Sequence, residues 1–318
     1  LFFLSIVYLT IFGIETSRFN NQIKNIIDNL NDDIQFELKK VKLNLEPLKL
    51  NIKLKTLGPK LKSNNAIIDI ESIESRVSIK SLLNNKFAIS NLYISTNSVK
   101  IRKLITFIRV INKNTSLLVI ENFVKNGYLI ADIKINFDNN GNIKDDYSIK
   151  GFVKDGKFNL LKKNKLDKVN FIFNVSNKKV NLKELELKYN DTELFFDKID
   201  IQKENKNYNV KGEINNKNFI FKEKFIENIS NFDYFKIKKI DLDLKSIFSF
   251  EINDKFRFNN LNIQSKADLN QLVLSNNFKI NQFFPNIKNL IEFKKHKVEI
   301  NFDKKGLFIK GYGDVLLQ

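Results

Sequence analysis

The chain has 318 residues, enough for one large or two ordinary domains, and 42% of them are hydrophobic, enough to bury a sizeable surface. It has no Cys, no Met and a single histidine, His296, which excludes a disulfide framework, cysteine metal sites and His-pair metal sites; the missing Cys does not fix the redox compartment. The formal charge is +18 and comes almost wholly from lysine, because Arg18, Arg76, Arg102, Arg109 and Arg257 are the only arginines.

The first stretch, "LFFLSIVYLTIFGI" at residues 1–14, carries no charge. At about 1.5 Å per residue it covers roughly 21 Å of a bilayer core of about 30 Å. The chain opens on Leu1 rather than Met, so the expectation is a membrane helix whose start lies upstream. Phe2, Phe3, Leu4, Ile6, Val7, Leu9, Ile11 and Phe12 are its anchoring residues. No small-residue cleavage pattern comes after it, which favours a retained anchor over a signal peptide. Ile23, Ile26, Ile27 and Leu30 keep a helical stripe, so residues 1–30 read as the anchor and its extension.

Residues 31–127 read as a β region with two helices at its end. "VKLNLEPLKLNIKLKTL", residues 41–57, alternates apolar residues with lysine or asparagine, and its phase slips after Pro47. "AIIDIESI", "RVSIKSLL", "KFAISNLYIS" and "SVKIRKL" are further short β patterns. "RKLITFIRVINKN" and "SLLVIENFVKNG" predict helices, the first with Leu104, Ile105, Ile108 and Ile111 on one side. Gly127 is placed to stop the second.

From residue 128 to 318 the β rhythm repeats at intervals of about 8–15 residues. "FKEKFIENISNFDYF" is ambiguous and fits a short helix; "KINQFFPNIKNLIEF" predicts a helix broken near Pro285. "HKVEINFDKKGLFIKGYGDVLL" closes as a hairpin, and its last strand pattern suggests that sequence continues downstream. "INFDNNG" at 135–141 is echoed by "INFDKKG" at 300–306. Asp followed by Gly suits a tight turn, and the acidic spacing of a calcium loop is missing.

Enzyme chemistry finds little footing. Neither a Gly-rich phosphate loop nor a G-x-S-x-G elbow occurs, and "GYG" at 311–313 sits in a strand pattern. His296, among lysines at an expected helix–strand junction, reads as a surface residue. Asp145 and Asp146 are adjacent, so a strand would point them apart, while Asp32 and Asp33 lie near an expected helix end. No cofactor is implied, and the reading is that the protein is not an enzyme. Scarce arginine and dispersed lysine argue against a nucleic-acid partner. The lysines read as a solvated face; the sharper alternative is attraction to an anionic membrane, worth roughly 1 kcal/mol per nearby Lys. "KVNFIFNVS" interleaves aromatics and lysine, but Phe171 and Phe173 share a face with Val169 and Val175, so they read as core or groove lining.

A strand with one apolar face must cover it. Helices are few, a second sheet would give a sandwich or barrel, and a third option is a curled sheet whose apolar lining is covered by a ligand. A transmembrane β-barrel fits poorly with the dense lysine. The expected fold is therefore mainly β: an elongated, curled antiparallel sheet, groove- or taco-like, with an N-terminal transmembrane helix and a few short helices. Its candidate lining is Leu43, Leu45, Leu50, Ile52, Leu54, Ile133, Ile135, Phe137, Phe171, Phe173, Leu185 and Leu187.

The order of an apolar N-terminal helix, "TSRFNNQI", the ribbon "KLNLEPLKLNIKLKTLGPKL" and "RVSIKSLLNNKFAISNLYIST" resembles the start of the AsmA-like family, which includes the YhdP and TamB types of Gram-negative bacteria. "SIKGFVKDGKFNLL" and "LFIKGYGDVLL" are in the same manner. The likeness is clearest over residues 1–110 and rests on hydrophobic pattern. It implies a single-pass inner-membrane anchor, a periplasmic β groove, and passive movement of phospholipid acyl chains toward the outer membrane. Its implied partners are phospholipids, the inner membrane and outer-membrane or other envelope proteins. The alternative function is a structural or scaffolding envelope protein with a closed β core and no lipid cargo.

Overall fold

The computed structural model describes residues 2–17, 20, 35–63, 66–84, 89–111, 115–138, 140, 142–160, 164–205, 207–221, 235–253, 257–276 and 290–317. Within them the protein is mainly β, with eighteen strands in one open antiparallel sheet and four short α-helices. The chain divides into two compact units. Unit 1 is Leu1–Asn159 with Phe173–Asn177, and unit 2 is Leu160–Ile172 with Lys178–Gln318.

Unit 1 begins with helix α1, Phe2–Ile11. Its ten residues span about 15 Å. No helix among the described residues is long and apolar enough to cross a membrane, so the expected transmembrane helix finds no support there. The C-terminal end of α1 is set locally. Gly13 turns the chain at φ +69°, and a Cβ there would lie 2.5 Å from the Leu43 carbonyl oxygen. The next residues form strand β1, Ile14–Thr16, rather than continuing the helix. The stripe Ile23, Ile26, Ile27 and Leu30 lies outside the described residues, as do Asp32 and Asp33.

Strand β2 is Gln35–Glu37, β3 is Lys40–Glu46 and β4 is Asn51–Leu57. The phase slip after Pro47 is a hairpin. A 3-10 turn at Pro47–Lys49 and a left-handed Leu50 reverse the chain and set Leu45 opposite Ile52, and Leu43 opposite Leu54. Strand β5, Lys60–Ser63, pairs with β2 and with the first part of β6, Ala66–Ser78; the later part of β6 pairs with β4. The other edge of β6 carries β7, Ile89–Thr96. Helix α2, Ile79–Leu83, comes directly after β6. Strands β7 and β8, Val99–Lys100, both pair with β9, Val124–Asn136, and β9 pairs with β10, Ser148–Leu160.

The two expected helices are α3, Ile101–Ile111, and α4, Thr115–Phe123. The second stops four residues before Gly127. That glycine lies inside β9 at φ +130°, where a Cβ would come within 3.0 Å of the Gly156 Cα, so its place is a close backbone approach and not a helix stop. The apolar stripe of α3 packs Phe107 against Ala66, Ile68, Ile70 and Val99, with Leu61, Ile73, Ile94 and Leu104 around them. Glu121 of α4 accepts hydrogen bonds from the Thr106 hydroxyl at 2.7 Å and from the Arg109 guanidinium, which ties the helices together.

Strand β11, Asn164–Ser176, is shared between the units. Unit 2 continues with β12, Lys179–Tyr189, β13, Thr192–Glu204, β14, Asn207–Ile220, and β15, Phe235–Ile252. It ends with β16, Phe258–Asn276, β17, Leu290–Asp303, and β18, Gly306–Leu317. From β12 onward each strand pairs antiparallel with the next. Residues 290–293, expected to be helical, begin β17, because Leu290, Ile291 and Phe293 lie opposite Ser275, Leu274 and Leu272. The rest of that predicted helix, with Pro285, lies outside the described residues, as does most of the ambiguous segment 221–235.

Long strands twist, and a strict two-residue period drifts out of phase with the face it serves. Bulges restore it here. Glu184, Asn218, Asn260 and Lys295 sit at positive φ inside strands, and the ladder shifts register between Asn216 and Phe219 and between Lys294 and Lys297. The echoed Asp-containing segments are turns. Asp138 accepts backbone N–H bonds from Asn140 at 2.8 Å and Asn142 at 2.9 Å, and Asp303 accepts one from Lys305 at 2.7 Å.

Candidate functional site

Alternation puts every second residue of a strand on one face, and antiparallel pairing carries that face to the neighbour. In unit 2 the registers assemble apolar rows across the strands. One row runs Leu185, Phe196, Ile214, Ser246, Ser265, Ile300 and Ile309. A second runs Leu182, Ile199, Gly212, Phe248, Ile263, Phe302 and Leu307. A third, Asn216, Leu244, Ala267 and Val298, lies on the other side of the first. Most of these side chains are half-buried; Leu185, Asn216, Ser246, Ser265 and Ala267 are buried, and Leu307 and Ile309 on β18 are exposed. Among the described residues of unit 2 there is no helix to cover them.

Unit 1 has its own rows: Ile14, Leu43, Leu54, Ser75, Leu92 and Ile135; then Leu45, Ile52 and Val77. Ile73, Ile94, Ile133 and Ile149 form another, which leads toward the cluster under α3. Six sequence-predicted lining residues, Leu43, Leu45, Ile52, Leu54, Ile133 and Ile135, therefore share one face. Leu50 stands apart: it is 57% exposed at the hairpin tip. Phe137 is half-buried and bridges Ile143. Leu187 lies opposite Leu194 next to the Leu185 row. Phe171 is half-buried and Phe173 buried, on the same face of β11 as buried Val169. In the anchor set, Phe3, Leu4, Val7, Ile11 and Phe12 are exposed, and Ile6 and Leu9 half-buried; the Phe2 side chain lies outside the described residues.

Sequence reasoning missed two devices within this face. The first is aromatic cover over glycine. A Cβ on Gly151 would sit 2.8 Å from the Phe173 ring, one on Gly212 2.2 Å from the Phe248 ring, and one on Gly313 2.6 Å from the His296 ring. Each ring fills the space that a side chain would occupy. His296 is therefore not on the surface: it is buried mid-strand, with Nδ1 2.9 Å from the Lys294 carbonyl and its ring edge-on to Phe293. A carbonyl only accepts, so Nδ1 carries the proton of that bond.

The second device is a polar stitch where the ladder breaks. Buried Asn216 accepts the Phe195 N–H at 3.0 Å and donates to the Phe195 carbonyl at 3.2 Å, replacing a missing backbone pair. Thr56 does the same for both backbone groups of Ile73, and Thr96 accepts the Ala131 N–H at 2.8 Å. Buried Ser246 and Ser265 satisfy each other at 2.8 Å.

The opposite face is charged and laced with cross-strand ion pairs. Lys53 and Lys55 each lie 2.8 Å from Glu74, and Lys62 lies 2.7 Å from Glu37. Burial raises the Glu74 carboxyl, but its hydrogen bonds and charge contacts with the two lysines outweigh that and hold it below the usual range. A hydrogen bond from Gln271, joined by Lys294, holds Glu292 low. A cavity of about 690 Å³ in unit 2 is lined by charged residues, among them Lys168, Glu186 and Lys217, together with apolar Leu187, Leu194 and Phe219, so it is not confined to the polar side. No group of His, Cys, Asp or Glu suited to a metal occurs among the described residues. Comparison of the chain with protein-family models, curated proteins and solved structures finds no match to any of them.

Proposed function

We propose that the protein binds lipid acyl chains along the apolar face of its sheet and makes or breaks no bond. One observation carries the reading: the cross-strand rows of unit 2 bring isoleucine, leucine and phenylalanine of β12 to β18 into register on one face, most of them half-buried. Removing a CH₂ from water contributes about 0.8 kcal/mol, so a hydrocarbon tail laid on such rows is held without any specific contact. Neighbouring rows are chemically alike, so a tail gains little by stopping at one of them and is free to slide. The exposed apolar residues of α1 seat one end of the chain at a bilayer surface. The AsmA-like resemblance makes that bilayer the bacterial inner membrane, with phospholipid as cargo and the sheet in the periplasm. A closed-core scaffold finds its support only in unit 1, where Phe107 and its neighbours form a packed cluster.

The test exploits strand parity. A photo-crosslinking residue replaces Leu244, on the apolar face, or its neighbour Lys245, on the charged face. Lipid adducts in membrane-derived preparations are expected at 244 and not at 245. Adducts at neither position, or equally at both, overturn the proposal.

A further inference from the structure

The turn between β3 and β4 breaks two local rules. Turns favour Gly, Pro, Asn, Asp and Ser, yet here Leu48 is fully exposed and Leu50 is 57% exposed. Leu50 also holds φ 49° and ψ 44°, a left-handed conformation that ordinarily falls to Gly or Asn. Rules of this kind are broken mostly at functional sites. The turn is held firmly. The Leu50 N–H donates to the Pro47 carbonyl at 3.2 Å, and the Leu50 carbonyl accepts the Ile79 N–H at 2.9 Å, which fixes the start of α2 against the turn. Leu83, at the end of α2, is 80% exposed.

Helix α1 lies at the same end of unit 1. Strand β1 runs antiparallel to β3, with Ile14 opposite Leu43 and Thr16 opposite Val41. The residues before Ile14 therefore head toward Glu46 and the turn, and α1 packs against β3. The ten residues of α1 carry no charge, and Phe3, Leu4, Tyr8 and Ile11 are more than half exposed. We infer that the β3–β4 turn, together with Leu83 of α2, inserts into the surface of a lipid bilayer beside α1. The inference rests on the bilayer seat given to α1 above and not on acyl chains lying along the sheet.

Shape and charge both select a bilayer over a protein partner. Leu48 is a convex point, whereas a protein interface gathers its apolar anchors in a well-packed, desolvated centre. A fluid bilayer surface closes around single protruding leucines and needs no matching pocket. Lys49 and Lys80 stand exposed next to these leucines, placed to meet lipid phosphates. An apolar tip with a basic rim is the pattern of interfacial insertion, where lysine keeps its charge at the headgroups. Glu46, the acid next to the turn, is paired with Arg76 and adds little repulsion. Ile67 supplies an internal control: it is 49% exposed, but it lies at the other end of β6.

The chain has no Trp, so one introduced tryptophan reports its own surroundings. The full chain carrying Leu48→Trp, Leu83→Trp or Ile67→Trp is mixed with vesicles of phosphatidylcholine and phosphatidylglycerol, with or without bromine on the acyl chains. Emission of Leu48→Trp and Leu83→Trp should shift to the blue and be quenched by brominated lipid, and that of Ile67→Trp should not change. Leu48→Asp combined with Leu50→Asp should weaken vesicle binding about tenfold, because less apolar area leaves water. Vesicle-bound chain without quenching of Leu48→Trp, or with equal quenching of Leu48→Trp and Ile67→Trp, overturns the inference and leaves the α1 seat standing. A chain that binds no vesicles overturns both. A dimer in sedimentation velocity that is lost with Leu48→Asp assigns the turn to a second copy and also overturns it. None of these results bears on lipid crosslinking at 244, which tests the sheet separately. Circular dichroism of each variant separates loss of fold from loss of insertion.

Discussion

In unit 1 an apolar strand face meets a helix, and Phe107 of α3 is 4% exposed between Ala66, Ile68, Ile70 and Val99. In unit 2 a face of the same composition meets no described helix, and Leu244, Phe248, Ile263 and Ile300 remain half-buried. Both faces come from the same alternating pattern. At β8 and at β12 to β14 the difference lies in the segment that comes next along the chain. After β8 the period changes from two to about 3.6 and yields an amphipathic helix that folds back on the sheet. From β12 to β14 each strand instead turns directly into the next. A face closed by the chain's own side chains gives stability; the half-buried face is the one on which the proposed guest would lie.

The largest expected effect tests that contrast directly. Phe107→Ala should cost about 3–5 kcal/mol in urea unfolding, because it empties a packed cluster. Leu244→Ala should cost only about 1–2 kcal/mol, since a half-buried side chain loses transfer energy without leaving a closed cavity. Equal costs would mean that the face of unit 2 is as tightly packed as the core of unit 1. Gly212→Ala should cost about 1–3 kcal/mol, because its Cβ would force the Phe248 ring off the sheet. Thermal unfolding of Gly212→Ala alone and combined with Phe248→Ala checks this, as the pair should lose less than the sum.

Asn216→Leu should cost about 1–2 kcal/mol by leaving the Phe195 amide groups without their partner, with faster hydrogen exchange at that amide. A smaller effect concerns acid. The Thr106 hydroxyl, with Arg109, holds Glu121 below its ordinary value of 4.5. A carboxyl lowered in the folded state adds stability that is complete above the unfolded value and is lost as pH falls through the folded one. Unit 1 should therefore weaken below about pH 4.5, and a pH series on Glu121→Gln should lack that step. Lys62→Ala, which removes an exposed ion pair with Glu37, should change the unfolding free energy by about 0.2–1 kcal/mol at most.

Much of the fold was legible residue by residue. "KVNLKELELKY" and the closing hairpin are strands where their alternation puts them, and the Asp turns are turns. Six of the proposed lining residues share a face because parity is a local property. Leu50 misled, since a pattern of alternation does not register that Pro47 begins a reversal. His296 misled for a different reason. Its neighbours in sequence are lysines, but its neighbours in space are Phe293, Leu269 and Gly313. Asn216 and Thr56 gave no signal in the sequence, because each answers a gap left by a partner strand.

What the sequence determined alone is the period of each segment: where side chains alternate, where they wind, and where the chain turns. These come from the torsions and turn chemistry of a few consecutive residues. The tertiary structure decided register, the bulges that keep the apolar rows in phase, and which rows a helix covers. Those depend on residues far apart along the chain that meet only after pairing. The same division explains α1. Its apolar character is written in its residues, but its end at Gly13 is set by the close approach of Leu43.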